Sequence, residues 1–180
     1  MFNPTIANPT MTNQIILWST LIVPWLTLFF MKKEDIKRYL PAGLLVVVLS
    51  ALLSDAGVRL GFWVFRQNIF PLGVVEPYIY GMYPVLTMWF LKFSNGRFLI
   101  YLIINAIADL VFAYFWVKYL LPVRGIVSIY ITGFQEWLFS MGRALIIYVF
   151  QKWFEGEPVR LSTFSLRLHP AAAKPRRNPE

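Results

Sequence analysis

FLIYLIINAIADLVFAYFWVKYLL, residues 98–121, is almost entirely apolar. A helix needs about 20 such residues to cross a bilayer. Pro122 comes directly after the stretch, and proline ends a helix because it has no backbone N–H. Asn105 and Asp109 interrupt the run. The stretch therefore predicts a transmembrane helix that carries two polar groups inside the membrane.

The composition of the whole chain points to the same class. Of the 180 residues, 58% are hydrophobic and 14% are charged, against roughly 45–50% and about 25% in soluble domains. The aromatic content of 18% is also high, and aromatic residues are enriched where hydrocarbon meets lipid headgroups. We therefore expect an all-α, polytopic membrane helical bundle, with the lipid bilayer as its main partner.

Four further apolar runs resemble the first in length. The predicted helices cover about residues 15–31, 39–65, 77–93, 98–121 and 132–154, and residues 125–131 are expected to lie along the membrane surface. Residues 1–14 form a polar N-terminal segment without Lys or Arg, which is not the basic start of a cleavable signal peptide. The transmembrane bundle is expected over residues 15–155, and the Pro-rich, basic tail at 156–180 is expected to be disordered.

The distribution of basic residues predicts the orientation. Of the 17 Lys and Arg, twelve follow the first, third and fifth predicted helices. Loops rich in Lys and Arg stay on the cytoplasmic side of a membrane. The N-terminus is therefore expected outside and the C-terminus inside, an arrangement that needs an odd number of spans and agrees with five.

Several classes of function are disfavoured by the same composition. The net charge of +8 falls in short clusters between apolar runs, so we expect no nucleic-acid partner. The chain has no cysteine, and its one histidine, His169, lies in the polar tail. Most metal and triad mechanisms need those residues in the site. We therefore predict no enzymatic activity, no catalytic residue, no metal and no cofactor.

Ionisable side chains inside the predicted membrane region are the candidates for function. Each costs about 2.5–3.5 kcal/mol on insertion scales and therefore calls for a partner. They are Asp55, Arg59, Glu76, Asp109, Glu136 and Arg143.

Their positions predict two groups. Asp109 and Arg143 each lie eleven residues from the cytoplasmic end of their helix, so we expect an ion pair, which Asn105 could join. The other four lie nearer the outer surface and are expected to form a second cluster. Within it, Asp55 and Arg59 are four residues apart and can pair on one helical face.

Helical spacing also predicts which faces point into the bundle. Glu76, Tyr80, Tyr83 and Thr87 should share one face of the third helix, and Glu136, Ser140 and Arg143 one face of the fifth. The second helix carries a seam of small residues at which a neighbouring backbone could approach closely. This seam consists of Ser50, Ser54, Gly57 and Gly61.

Three segments carry a resemblance to known sequences. They are VPWLTLFFMKKEDIKRYLP (Val23 to Pro41), TMWFLKFSNGRFLIYLIINAIADLVFAYF (Thr87 to Phe115) and GRALIIYVFQKW (Gly142 to Trp153). There the chain resembles a group of uncharacterised small multi-pass membrane proteins of Bacillus-type (Firmicutes) bacteria. The resemblance implies the bacterial cytoplasmic (plasma) membrane as the location and implies no activity.

Two functions remain open from the sequence. The first is a non-enzymatic structural or accessory membrane subunit, in which buried polar groups hold helices together and the seam serves packing, a membrane-protein partner or a homo-oligomer. The second is a small transporter or channel component with a proton- or cation-linked site around Asp109 and Arg143. A polar cavity that reaches Asp109 from a surface would favour the second.

Overall fold

The structure, a computed structural model, describes residues 10–72 and 76–156 and is mostly helical. Predictions for residues 1–9, 73–75 and 157–180, among them most of the N-terminal segment and the tail, lie outside the described residues. Helix α1 covers Met11–Thr27 and ends in a 3₁₀ turn at Leu28–Phe30, and α2 covers Lys33–Arg59. Helix α3 covers Tyr83–Ser94 and follows a π-helical turn at Tyr78–Met82.

The last two helices complete the bundle. Helix α4 covers Phe98–Val111 and continues through a π-helical segment, Phe112–Leu120, into a final α-helical turn, Leu121–Val123. Helix α5 covers Gly133–Phe154. It begins with a capping box in which the Thr132 hydroxyl accepts a hydrogen bond from the Gln135 backbone N–H. Such a cap satisfies backbone donors that the first helical turn leaves without partners.

Three of these helical segments are long and apolar enough to cross a membrane. They are Met11–Phe30, Lys33–Arg59 and Phe98–Val123. Large apolar side chains are exposed along them, including Val48 and Ile107, which are 55% and 60% exposed. The mostly helical architecture and its membrane-length helices agree with the class that the sequence predicts.

The predicted end of the second helix is wrong. Helix α2 stops at Arg59, six residues before the predicted end, and Gly61 turns the chain with a φ of 75°. Positions with positive φ favour glycine because a Cβ would clash with the backbone. The chain then forms strand β1, Trp63–Phe65, instead of a last helical turn.

Strand β1 pairs with a second strand that joins α4 to α5. Strand β2, Val127–Ile129, runs antiparallel to β1, with Trp63 opposite Ile129 and Phe65 opposite Val127. The sequence predicts a surface segment here and no strand partner for it. The two strands pack on a buried cluster that contains Leu17, Ile69 and Leu121, so the sheet closes one end of the bundle.

The main core lies between α2, α3, α4 and α5. It includes Ala42, Val46, Met88, Tyr101 and Ile147, each at most 3% exposed. Two ion pairs that join different helices lie at the end of the bundle away from the sheet. There Lys92 pairs with Asp35 at 3.1 Å and Arg38 with Glu155 at 2.6 Å. These ion pairs therefore link the helices at that end, while the main core is apolar.

Helix α1 packs on the π-helical turn through a glycine. A Cβ added to Gly81 would overlap the Thr20 carbonyl oxygen and would lie 2.6 Å from the Leu21 Cα. Because both atoms belong to backbone, glycine at this position permits the approach. Among the described glycines, Gly81, and not a glycine of the α2 seam, is therefore the one that lies closest to another backbone.

Candidate functional site

A cavity of about 150 Å³ lies next to the two-stranded sheet. Its walls come from α2, from the sheet, from the segment that leads into α3, and from α5. Most of the lining is apolar or aromatic, but three acidic or basic side chains reach it: Glu76, Glu136 and Arg143. These three residues make the cavity the best candidate site in the described part of the chain.

Glu76 is held by hydroxyl groups from two elements. The Ser54 hydroxyl of α2 donates to its Oε1, and the Tyr78 hydroxyl donates to its Oε2 at 3.1 Å. Hydrogen bonds to a carboxylate are stronger than those between neutral groups. Glu76 therefore ties the start of the third helical segment to α2.

Arg143 is also held by hydroxyl groups and by an aromatic ring. Its Nη1 donates to Ser50 Oγ of α2 at 3.0 Å and its Nη2 to Ser140 Oγ at 3.4 Å. The guanidinium carbon lies 4.2 Å from the centre of the Tyr83 ring, a cation–π geometry. The predicted ion pair with Asp109 is wrong, because the guanidinium is turned to these two serines and to the ring and forms no salt bridge to a described carboxylate.

Asp109 lies nearby, at a second cavity of about 40 Å³ that Arg143 and Ser140 also line. Its Oδ2 is buried and has no hydrogen-bond partner among the described residues. Asn105 lines the same cavity, but its Nδ2 donates to the Tyr101 carbonyl one turn earlier at 2.8 Å. Asn105 therefore supports its own helix and does not bridge Asp109 to Arg143.

The predicted outer cluster is split by the structure. Asp55 and Arg59 form the expected ion pair, with 2.9 Å between Arg59 Nε and Asp55 Oδ2, which confirms the spacing argument. Their side chains are 67% and 78% exposed, and neither lines the cavity. This pair is absent from the cavity because it lies on the opposite side of α2 from Ser50, Ser54 and Gly57, which are buried.

The predicted seam on α2 does not bring a neighbouring backbone against either of its two glycines. Ser50 and Ser54 are buried and donate or accept hydrogen bonds at the cavity. Gly57 lies under the Trp63 indole, since an added Cβ would overlap the ring. Gly61 is outside the helix, and a Cβ added there would have no heavy atom within 4 Å. At Gly57, a side chain and not a backbone therefore covers α2.

The faces predicted from helical spacing are partly confirmed. Glu136, Ser140 and Arg143 of α5 all line the cavity. On the third segment, Glu76 and Tyr83 line it as well, but Tyr80 is 39% exposed. The π-helical turn contains Tyr80, and such a turn holds more residues than an α-helical one, so spacing of 100° per residue no longer applies.

Sequence reasoning missed two aromatic side chains of the site. Trp63 lines the cavity from β1, and its buried Nε1 has no partner among the described residues. Tyr78 lines it too and donates to Glu76. Hydropathy predicts Trp63 at a helix end near the interface, and no local pattern marks Tyr78. The glycines at 57 and 61 are the available signal that α2 stops early.

The comparisons with known proteins add no family. No protein-family model matches the chain, and no curated protein or solved structure matches it. The resemblance to small membrane proteins of Bacillus-type bacteria therefore stays a prediction. Within residues 10–72 and 76–156, no three potential His, Cys, Asp or Glu ligands are grouped to hold a metal ion. The function has to be argued from the cavity and its polar contacts.

Proposed function

We propose that the chain is a multi-pass protein of a bacterial cytoplasmic membrane, with five spans, the N-terminus outside and the C-terminus inside. Three helical segments of sufficient length and apolarity support the location. Helix α5 has 22 residues, about 33 Å at 1.5 Å per residue, which matches the hydrocarbon thickness. Two of its polar side chains, Glu136 and Arg143, line the cavity inside the bundle.

Within that membrane, we propose a non-enzymatic structural or accessory function. The observation that carries it is the use of the interior polar groups as links between helices. Arg143 of α5 donates to Ser50 of α2, and Ser54 of α2 donates to Glu76 ahead of α3. Polar side chains that hydrogen bond across helices stabilise membrane bundles. A packed bundle of this kind can serve as a subunit beside a membrane-protein partner or a second copy of itself.

The alternative is a small transporter or channel component, and one observation favours it. Asp109 Oδ2 is buried without a partner in the described part of the chain, next to a cavity that shares Arg143, Ser140 and Tyr83 with the larger one. Intramembrane carboxylates that have no hydrogen-bond or ion-pair partner within the bundle are typical of ion pathways. A proton or a monovalent cation at Asp109 would supply the missing partner.

Asp109→Asn distinguishes the two functions. The full chain and the variant are placed in liposomes, and proton and potassium flux are measured under an imposed potential. The accessory function predicts no flux above that of empty liposomes. It also predicts a free energy of unfolding within about 1 kcal/mol of the parent, because the substitution removes no hydrogen bond to a described residue.

The matched control is Asp55→Asn, which removes the same charge from an exposed position. A parent flux that Asp109→Asn abolishes and Asp55→Asn preserves, at equal protein content, would replace the accessory function with transport. Absence of flux in the parent removes the transport alternative for these ions.

A further inference from the structure

The larger cavity has more acidic than basic groups. Glu76 and Glu136 both line it, and Arg143 is the basic side chain that the described residues contribute. If all three are ionised, the lining carries one net negative charge. An uncompensated charge in low dielectric is costly, so this cavity is electrostatically complementary to one positive charge.

The two glutamates differ in the number of hydrogen bonds that their carboxylates accept. Glu76 accepts hydrogen bonds from Ser54 and Tyr78. The structure gives the Glu136 carboxylate no hydrogen bond from any residue it describes, although the Glu136 backbone N–H is bonded within the helix cap. Arg143 does not fill that gap, because its guanidinium is engaged by two serines and an aromatic ring. Glu136 is therefore the acceptor left for a ligand.

The remaining walls suit an apolar body attached to a cation. Aromatic side chains line the cavity from several elements, including Trp63 of β1, Phe112 after α4 and Phe139 of α5. Aromatic faces attract ammonium groups through their quadrupole and also pack against apolar rings. An anion would meet only a guanidinium that is already engaged, and it would lie beside two carboxylates.

The volume of the cavity and the position of its rim further limit which ligands can bind. A dry cavity of about 150 Å³ holds a molecule the size of benzene, and this cavity has a volume of about 150 Å³. Leu53 of α2 and Phe139 of α5 line it and are 41% and 44% exposed. The rim between α2 and α5 therefore lies on an apolar outer face, from which a small lipophilic cation can enter.

We propose that this cavity is a binding site for a small organic cation, a benzene-sized apolar body that bears one ammonium group. The ammonium group is held by the Glu136 carboxylate, with the negative charge of Glu76 in the same lining, and the apolar body packs among Trp63, Phe112 and Phe139. This inference goes beyond the accessory function, because it assigns a ligand to the bundle and does not depend on a partner protein.

Binding is tested on the full chain in nanodiscs of uncharged lipid at pH 7. Equilibrium dialysis measures the uptake of radiolabelled benzylammonium, with empty nanodiscs as the blank. Two unlabelled competitors of similar size, benzyl alcohol and benzoate, carry charges of zero and minus one. We expect saturable binding of benzylammonium that neither competitor displaces at equal concentration.

Variants then test which carboxylate binds the ammonium group. Glu136→Gln should weaken the binding of benzylammonium by about tenfold or more, because it removes one partner of a buried charge pair. Glu136→Asp keeps the charge and should retain most of the affinity. Asp55→Asn is the matched control outside the cavity and should bind like the parent. Glu76→Gln should weaken binding as well, and gives a second test if Glu136→Gln does not fold.

Four outcomes would overturn the proposal. The first is the absence of saturable binding to the parent chain, and the second is equal competition by benzyl alcohol, which would reduce the site to an apolar void. The third is stronger competition by benzoate, which would assign the site to Arg143. The fourth is equal weakening by Asp55→Asn and Glu136→Gln, which would show a nonspecific charge effect. The comparison of the three compounds needs no variant and therefore stands whether or not the variants fold.

Discussion

Among single residues, Arg143 and Ser50 form the hydrogen bond that joins α5 to α2. Its length is 3.0 Å, and Ser50 is 3% exposed, so water does not replace it readily. Ser50→Ala should lower the free energy of unfolding by about 1–2 kcal/mol, because one donor of a partly buried cation loses its buried acceptor. Unfolding in mixed micelles measures the change.

The control for this prediction is Ser19→Ala, at an exposed position of α1. It should leave stability within about 0.5 kcal/mol of the parent. A double-mutant cycle that combines Ser50→Ala with Arg143→Met isolates the pair, and a coupling energy near zero would contradict the link.

Glu155 gives a second prediction for a single residue, at the end of the bundle away from the sheet. Burial alone would raise the pKa of its carboxyl, but the hydrogen bonds from Arg38 and Gln151, together with the positive charges of Arg38 and Lys152, outweigh burial and hold the pKa below its ordinary value of 4.5. A lowered pKa in the folded state adds stability above pH 4.5, and this stability is lost as the pH falls through the folded-state pKa.

Glu155→Gln should therefore be less stable than the parent at pH 7, by about 0.5–1 kcal/mol for a partly exposed pair. The difference should vanish below the lowered pKa, which a series of unfolding curves from pH 7 to acid would reveal. Glu34→Gln, at an exposed glutamate of the same end, is the control and should stay within about 0.5 kcal/mol of the parent at pH 7. A difference that persists unchanged in acid would show that the ion pair is not its cause.

Among the elements, α1 and the π-helical turn make a contact that depends on Gly81. The atoms next to an added Cβ belong to the α1 backbone and cannot rotate away, unlike the Trp63 ring over Gly57. Gly81→Ala should therefore destabilise the bundle by about 1–3 kcal/mol, the usual cost of overpacking. Thermal unfolding in detergent measures it.

Gly142 offers the matched control within α5. No heavy atom lies within 4 Å of a Cβ at this position. Gly142→Ala should be neutral or stabilising by about 0.5–1 kcal/mol, since alanine is the better helix former. Equal destabilisation by the two substitutions would contradict a specific contact between α1 and the turn.

For the molecule as a whole, the proposed orientation is tested with reporter cysteines. The parent chain has no cysteine, so a single substitution gives a signal without background. Arg124→Cys should react with a membrane-impermeant thiol reagent on intact cells, and Lys33→Cys should react only after the membrane is opened, because Lys- and Arg-rich loops stay inside. Both positions are exposed. Labelling of Lys33→Cys from outside would reverse the topology.

The helical class and much of the helix placement could be predicted without the structure. Apolar length and charge are local properties, so the membrane-length segment that begins at Phe98 and the start of α5 after Thr132 follow directly from the sequence. The pair of Asp55 and Arg59 was predictable for the same reason, because four residues fix their separation on one helix.

The partners of Arg143 could not be predicted in this way. Its side chain could meet Asp109 or the serines of α2, and the choice depends on which helix faces pack together. Helical spacing gives the face on which a residue lies but not the neighbour that covers it. The equal depth of the two residues along their helices therefore correctly predicts that Asp109 lies near Arg143, with which it lines a cavity, but not which groups each side chain contacts.

The strands and the π-helical turn also depend on contacts between residues remote in sequence. The hydropathy of residues 39–65 favours a continuous helix, and pairing of Phe65 with Val127 replaces its last turn with a strand. The π-helical turn at Tyr78–Met82 packs against α1 at Gly81. These tertiary contacts shape the cavity and bring its acids and its arginine together, because side chains far apart along the chain become neighbours only when the helices and the sheet have packed.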